Sequence, residues 1–249
     1  MRADHHVWNV PPTALALPEQ EVHVWRADLL RAATKLDELT AVLSADEQEK
    51  ARRFRFERDR TAYIAGRGIL RTLLGRYLRR APGDFQFECN AHGKPSLAAT
   101  TGATPMRFNL SHSHGWALYA FACGAELGVD LELVRPEFAL REKIAERFFS
   151  PREVTALRAR PASEQPEAFF ACWTRKEAYL KARGDGLFGA LDQFAVEFTP
   201  GAPPAVVWSQ DDPEAATRWA MHSFPVQPGF AAALVIEGQG RTVRFWNWD

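Results

Sequence analysis

The 249-residue chain has only three cysteines, Cys89, Cys123 and Cys172, widely spaced and without a CxxC pair. An odd, scattered set excludes a disulfide framework and offers no structural zinc site, and it suits a reducing compartment in which thiols are simply buried. No uninterrupted run of about 18 apolar residues occurs, so no membrane-spanning helix is expected. His5, His6, Pro11, Pro12, Pro18 and Glu19 stand where a secretory core would need apolar residues, so a cytoplasmic location is expected. A GxxxxGK[ST] phosphate loop is missing, as is any low-complexity tract. Net charge is missing too, with 31 basic and 31 acidic residues, which argues against a uniformly basic, polyanion-coating chain.

What is present is the composition of a folded protein, 46% hydrophobic, 12% aromatic and 25% charged. Its length suits one large domain or two of about 100 to 150 residues. The charge is neutral only as a sum. Residues 50–80 hold eleven lysines and arginines against Glu57 and Asp59, and residues 1–125 carry 17 basic and 13 acidic residues against 14 and 18 in the remainder.

Segments of the two halves align in pattern, though not in identity, when shifted by about 106 positions. The strand-like run Val22 to Leu29 falls on Gly128 to Arg135. Ser44-Ala-Asp-Glu47 falls on Ser150-Pro-Arg-Glu153, two capping boxes that predict helix starts, with Pro151 at a first helical position where its missing N–H costs nothing. A second helical pattern follows, placing Tyr63 on Phe169, Arg71 on Glu177 and Leu74 on Leu180. Turn signals at Ala81-Pro82-Gly83 and Gly184-Asp185-Gly186 precede strand-like runs at Phe85 to Cys89 and Phe194 to Phe198. Each half closes on a glycine and an apolar strand, from Gly115 and from Gly229. The expectation is an α+β fold of two similar α/β halves, 1–125 and 126–249, related by a pseudo-twofold axis with the active site in the cleft between them. Asp130 and Glu132 then stand opposite Val24 and Arg26, and Glu177 opposite Arg71, which predicts an acidic wall facing a basic one.

Asp130 and Glu132 are two apart in a strand, so both carboxylates share a face. Two neighbouring acids suit a hard divalent cation such as Mg2+, which takes oxygen ligands; alone, the pair reads rather as a solvated strand face, and a third carboxylate is needed to reverse that. Trp173, Glu177 and Lys181 repeat at i, i+4 and i+8 on one helical stripe, an arrangement that serves acid–base chemistry or merely a surface ion pair. The stretch Phe108 to His114 offers two histidines at i, i+2, too few for zinc. A Ser–His nucleophile fails there as well, because adjacent residues of an extended chain point to opposite faces. Phosphate contact by Ser111 and His112, or a mere turn, remains. Ala91 to Pro95 reads as a tight turn presenting Lys94.

Six motifs in order carry a resemblance: Lys50-Ala-Arg-Arg-Phe54; Gly93-Lys94-Pro95; Phe108-Asn-Leu-Ser-His112-Ser; Gly128-Val-Asp130-Leu-Glu132; Arg147-Phe-Phe-Ser150-x-x-Glu153; and Trp173-Thr-x-Lys176-Glu177-Ala-x-x-Lys181-x-x-Gly184-x-Gly186-Leu187. The chain resembles the 4'-phosphopantetheinyl transferase superfamily, in its larger, monomeric, surfactin-synthetase-activating type. The resemblance runs from about Leu43 to Leu187 and more loosely to both ends. It implies transfer of the phosphopantetheine arm of coenzyme A to a serine of an apo acyl, peptidyl or aryl carrier protein, with release of 3',5'-ADP. It also implies Mg2+ ligation by Asp130, Glu132 and Glu177, with Glu177 orienting or deprotonating the carrier serine, the base being either Glu177 or a metal-bound water, and Lys181 stabilising or protonating the leaving group. Lys50, Gly93, Lys94, Ser111 and His112 match coenzyme A contacts, and Asn109 the adjoining turn. Glu47 stands where some relatives have lysine, so Lys50 and Arg53 are expected to supply that positive wall. Glu153 is left between a capping and a catalytic role, and the basic segment 50–80 between docking an acidic carrier helix and a solvated face.

The rival reading is a nucleic-acid-binding module built on that basic segment with Phe54, Phe56 and Tyr63 interleaved. An inert carrier-binding subunit is disfavoured by the intact acid set, and another Mg2+-dependent phosphotransferase by the missing phosphate loop. The C-terminal Trp246 and Trp248 are expected to pack on the second half or to cover the cleft.

Overall fold

A computed structural model describes residues 8–98, 106–139, 141–184 and 191–248. The turn at Asp185-Gly186 and the motif residues Gly186 and Leu187 lie outside these. The first half runs β1 (Glu21–Asp28), α1 (Leu29–Ala32), α2 (Leu36–Ala41), α3 (Ala45–Arg52), α4 (Glu57–Leu78), then β2 (Phe87–Cys89), β3 (Pro95–Leu97), β4 (Met106–Ser113) and β5 (Trp116–Cys123). The second runs β6 (Leu127–Leu133), α5 (Arg141–Phe148), α6 (Pro151–Arg158), α7 (Gln165–Arg183), β7 (Phe194–Val196), β8 (Val206–Ser209), α8 (Ala215–Arg218), β9 (Trp219–Ser223) and β10 (Phe230–Glu237). A final strand, β11 (Thr242–Asn247), follows.

The pairing repeats with the order of elements. β1 pairs antiparallel with β5, and β5 with β4; likewise β6 pairs antiparallel with β10, and β10 with β9. Each half adds a short hairpin, β2–β3 and β7–β8. Both capping boxes form at the expected serines, with Glu47 and Glu153 returning to the cap N–H groups.

Period-two alternation sorts the strands among three cores. Along β5, Ala117, Tyr119 and Phe121 face the long helix α4, while Leu118, Ala120 and Ala122 face inward to meet Leu127, Val129 and Leu131 of β6. Ala233 and Val235 of β10 turn outward onto α7. The two sheets thus share an inner core, with α4 and α7 on the outer faces.

Two expectations need correction. The segment 126–249 is not one unit to its end, because β11 crosses back and adds to β1 in parallel, Val22 opposite Val243 and Trp25 opposite Trp246. Trp246 and Trp248 accordingly pack against the first half's core, neither on the second half nor over the site. The facing basic wall also fails at its named members. Val24 is core, Arg26 stacks over Trp8 and bonds Asn247, and Arg71 is fully buried in an ion pair with Glu47.

Candidate functional site

The site lies on the seam between the halves, and side chains build that seam. Asn109, Ser111 and Ser113 alternate along β4 and point to β6, where they take the place of a neighbouring strand's carbonyls. The N–H of Val129 donates to Asn109 Oδ1 (2.9 Å), that of Leu131 to Ser111 Oγ (3.3 Å) and that of Leu133 to Ser113 Oγ (3.2 Å). The same serines hold the two strand carboxylates: Ser111 Oγ donates to Asp130 Oδ1 (2.9 Å) and Ser113 Oγ to Glu132 Oε2 (3.2 Å).

Helix α7 crosses the acid-bearing face of β6 because Gly128 lets it. A Cβ there would stand 2.2 Å from the Ala178 carbonyl oxygen and 2.3 Å from the Ala182 nitrogen, closer than any real contact. The close approach brings Lys181 onto the pair. Its ammonium donates to Asp130 Oδ1 (2.6 Å), Ser111 Oγ (3.1 Å) and the Val129 carbonyl (3.3 Å). Glu177, one turn earlier, is 3% exposed.

Charge is unbalanced here. Burial, then repulsion from Asp130 and Glu132, pushes the Glu177 carboxyl up to about 7, against the pull of Lys181. Burial and Asp130 likewise raise that of Glu132. Asp130 Oδ2 and Glu177 Oε1 are buried with no hydrogen-bond partner, which in a native fold calls for an explanation. Among the described residues no three His, Cys, Asp or Glu side chains stand together as a finished metal cage. The two orphaned oxygens nonetheless fit a hard dication, since both are carboxylate donors in a site short of positive charge.

The remaining sequence candidates scatter along one edge. His112 lines a groove of about 840 Å³ with Tyr63, Gly66, Leu110 and His114. The Lys50 ammonium sits 5.4 Å from the Tyr63 ring centroid, so it borders that groove. Arg53 is exposed and paired with Glu49. Gly93 takes φ +85° in a tight turn, and Lys94 after it donates to Glu126 Oε2 (2.8 Å) and the Ala182 carbonyl (3.1 Å), closing the end of α7. Lys94 therefore already has partners and is not grouped with Asp130 and Lys181.

Glu153 stands outside the site. It is buried, caps α6, accepts from the Val196 N–H (2.8 Å) and pairs with Lys176 at 2.6 Å. Lys176 also donates to the Phe194 carbonyl (2.7 Å). The first half has the same device: Glu47 pairs with Arg71, which donates to the Phe85 carbonyl. Glu47 is therefore an internal counterion, also bonded by Arg67. Much of the basic excess of 50–80 is spent on such bonds. Arg67 and Arg71 go to Glu47, Arg52 and Arg53 to Glu49, Arg58 to Asp59, and Arg60 to Glu57. That leaves a poor continuous patch for a nucleic-acid backbone.

Two contributors went unrecognised in the sequence. Ser113 could have been found from the alternation of small polar residues at 109, 111 and 113. Lys176 could have been found by asking which cation answers Glu153 as Arg71 answers Glu47.

Residues 126–235 match the model of the 4'-phosphopantetheinyl transferase superfamily, and residues 31–123 that of the 4'-phosphopantetheinyl transferase N-terminal region. The chain is 39% identical to the 4'-phosphopantetheinyl transferase HetI of Nostoc, over 98% of this chain and 99% of that one. It is 31% identical to the 4'-phosphopantetheinyl transferase ffp of Bacillus subtilis, over 80% and 84%, and 29% identical to the same organism's Sfp, over 77% and 81%. With both halves matched and one relative aligned from end to end, the chain belongs to the 4'-phosphopantetheinyl transferase superfamily.

Proposed function

We propose that this protein transfers the 4'-phosphopantetheine arm of coenzyme A to a serine hydroxyl of an apo carrier protein and releases 3',5'-ADP. The observation that carries the reading is that Asp130, held by Lys181, and Glu177 are buried with one carboxylate oxygen each left unpartnered, beside the half-buried Glu132, in a chain of this family.

Asp130, Glu132 and Glu177 would hold Mg2+, which when bound neutralises charge on the pyrophosphate oxygens. The serine oxygen attacks the β-phosphorus of coenzyme A, and the bond from that phosphorus to the bridging oxygen breaks. Glu177, buried one helical turn before Lys181, receives the serine proton. Lys181, steadied by Asp130, Ser111 and the Val129 carbonyl, faces the departing oxygen and offsets its charge. His112 and Lys50 form the phosphate-binding edge beside the groove, with Asn109 and Ser111 fixing the strand, Arg53 adding positive charge and Gly93-Lys94 closing the far end.

The partner is an acyl, peptidyl or aryl carrier domain. Because one chain supplies both sides of the seam, a monomer suffices. No helix among the described residues is long and apolar enough to cross a membrane, and the reaction is assigned to the cytoplasm, where its cosubstrate is.

Purified protein with Mg2+, coenzyme A and an apo carrier panel should give a carrier heavier by one phosphopantetheine, read by intact mass. Asp130→Ala should abolish the gain while leaving the circular dichroism spectrum unchanged. No mass gain on any carrier would sink the reading, and turnover retained by Asp130→Ala would remove the metal-site assignment.

A further inference from the structure

The two serine–carboxylate pairs on the seam are built alike. Ser111 Oγ accepts from the Leu131 N–H and from Lys181, and spends its own proton on Asp130. Ser113 Oγ accepts from the Leu133 N–H, spends its proton on Glu132, and has one further neighbour, His114 Nδ1 at 3.0 Å. A hydroxyl has a single proton to give. With that proton on Glu132, the His114 contact forms only if Nδ1 carries the ring proton. His114 then feeds the second relay as Lys181 feeds the first.

Its place in the chain favours the same conclusion. His114 and Gly115 are the two central residues of the β4–β5 hairpin, at φ 46° and 83°. Positive φ at both positions is the type I′ turn, for which asparagine followed by glycine is the preferred pair. Histidine at the first position meets the turn's demand less well, and its ring is turned onto Ser113 while its other edge lines the groove.

We infer that His114 is a positioning residue: through Nδ1–H and the Ser113 hydroxyl it orients Glu132 toward the divalent cation. The inference rests on the reading of Glu132 as a metal ligand. Partners that orient a ligand typically cost 10- to 100-fold in metal affinity or activity when removed.

The decisive variant is His114→Asn, which supplies the better turn residue and removes the imidazole. Direct titration of Mn2+ into the protein, followed by electron paramagnetic resonance without substrates, should show roughly tenfold weaker binding. The thermal midpoint in EDTA should be equal to or above that of the parent. Ser113→Ala should weaken binding similarly, and the double variant should add little to either. In the unsubstituted apo protein above neutral pH, 15N-resolved imidazole spectra should show His114 protonated at Nδ1. Parent-like Mn2+ affinity in His114→Asn overturns the inference, as does an Nε2-protonated His114. Failure of the parent to bind Mn2+ at all would instead sink the metal-site reading beneath it. Loss of carrier modification alone, with Mn2+ binding intact, would count against His114 acting through Glu132.

Discussion

Replacing Glu177 by glutamine should stabilise the protein while destroying its activity. In the absence of a divalent cation, the Glu177 carboxyl sits at about 7 in the fold against 4.5 in its ordinary state. A group raised on folding contributes stability that is fully present below the lower value and is lost as the pH climbs through the upper one. At about 1.36 kcal/mol per unit, the ionised carboxylate costs the metal-free fold roughly 3 kcal/mol at about pH 8, and under about 1 kcal/mol near pH 5. Glutamine keeps the shape and discards the charge. For a chain of this size that corresponds to a rise of roughly 5–10 °C in thermal midpoint at the higher pH, reduced somewhat by any amide hydrogen bond left unmade. Thermal unfolding in EDTA at the two pH values measures it directly. The argument fails if Glu177→Gln is no more stable than the parent at about pH 8, or if its advantage is the same at both pH values. With Mg2+ added, the parent should recover most of the deficit and the variant should not respond.

Three further outcomes follow from the packing. Gly128→Ala drives a methyl into the backbone of α7, so loss of about 3 kcal/mol or more, or failure to fold, is expected; a midpoint within a degree or two of the parent would show that α7 is free to move. Lys176→Met strands a buried Glu153 and should cost about 3–5 kcal/mol, whereas adding Glu153→Gln should return part of it; unfolding in urea would reveal whether the pair is coupled. Lys94→Met should raise the KM for coenzyme A several-fold as well as loosening the end of α7. An unchanged KM beside a lowered midpoint would leave Lys94 with the structural bonds to Glu126 and Ala182 alone.

Local pattern made part of this legible. Capping boxes at Ser44 and Ser150, period-two strands around Val24 and Asp130, and long helices through Arg71 and Glu177 are written in spacing alone, and all six appear in the repeated topology. Spacing also showed the two acids on one face of β6 and Glu177 on a helical stripe, but only the family resemblance joined the three into one set. What failed was non-local. No periodicity announces that β11 returns to pair with β1, or that Glu47 answers Arg67 and Arg71 from another helix. The shift of 106 also misled at one point by setting Arg71 opposite Glu177 as part of a basic wall facing an acidic one. Arg71's counterpart in bonding is Lys176, one residue earlier, which answers Glu153 and the Phe194 carbonyl as Arg71 answers Glu47 and the Phe85 carbonyl. One helical position rotates a side chain by roughly 100°. Moving the internal cation by that step leaves position 177 to face β6, where a carboxylate can serve the chemistry.

The seam between β4 and β6 has a bearing on solubility. A strand edge with unpaired N–H groups is a template for another chain, and among the described residues β6 has a main-chain strand partner only in β10. Asn109, Ser111 and Ser113 occupy the donors of its other edge. The hydroxyls that hold Asp130 and Glu132 thus also satisfy the edge that another strand could otherwise pair. Substitutions at Ser111 or Ser113 would loosen the hold on Asp130 or Glu132 and leave an N–H of that edge unpaired in the same stroke, coupling the seating of the acids to the dispersal of the protein.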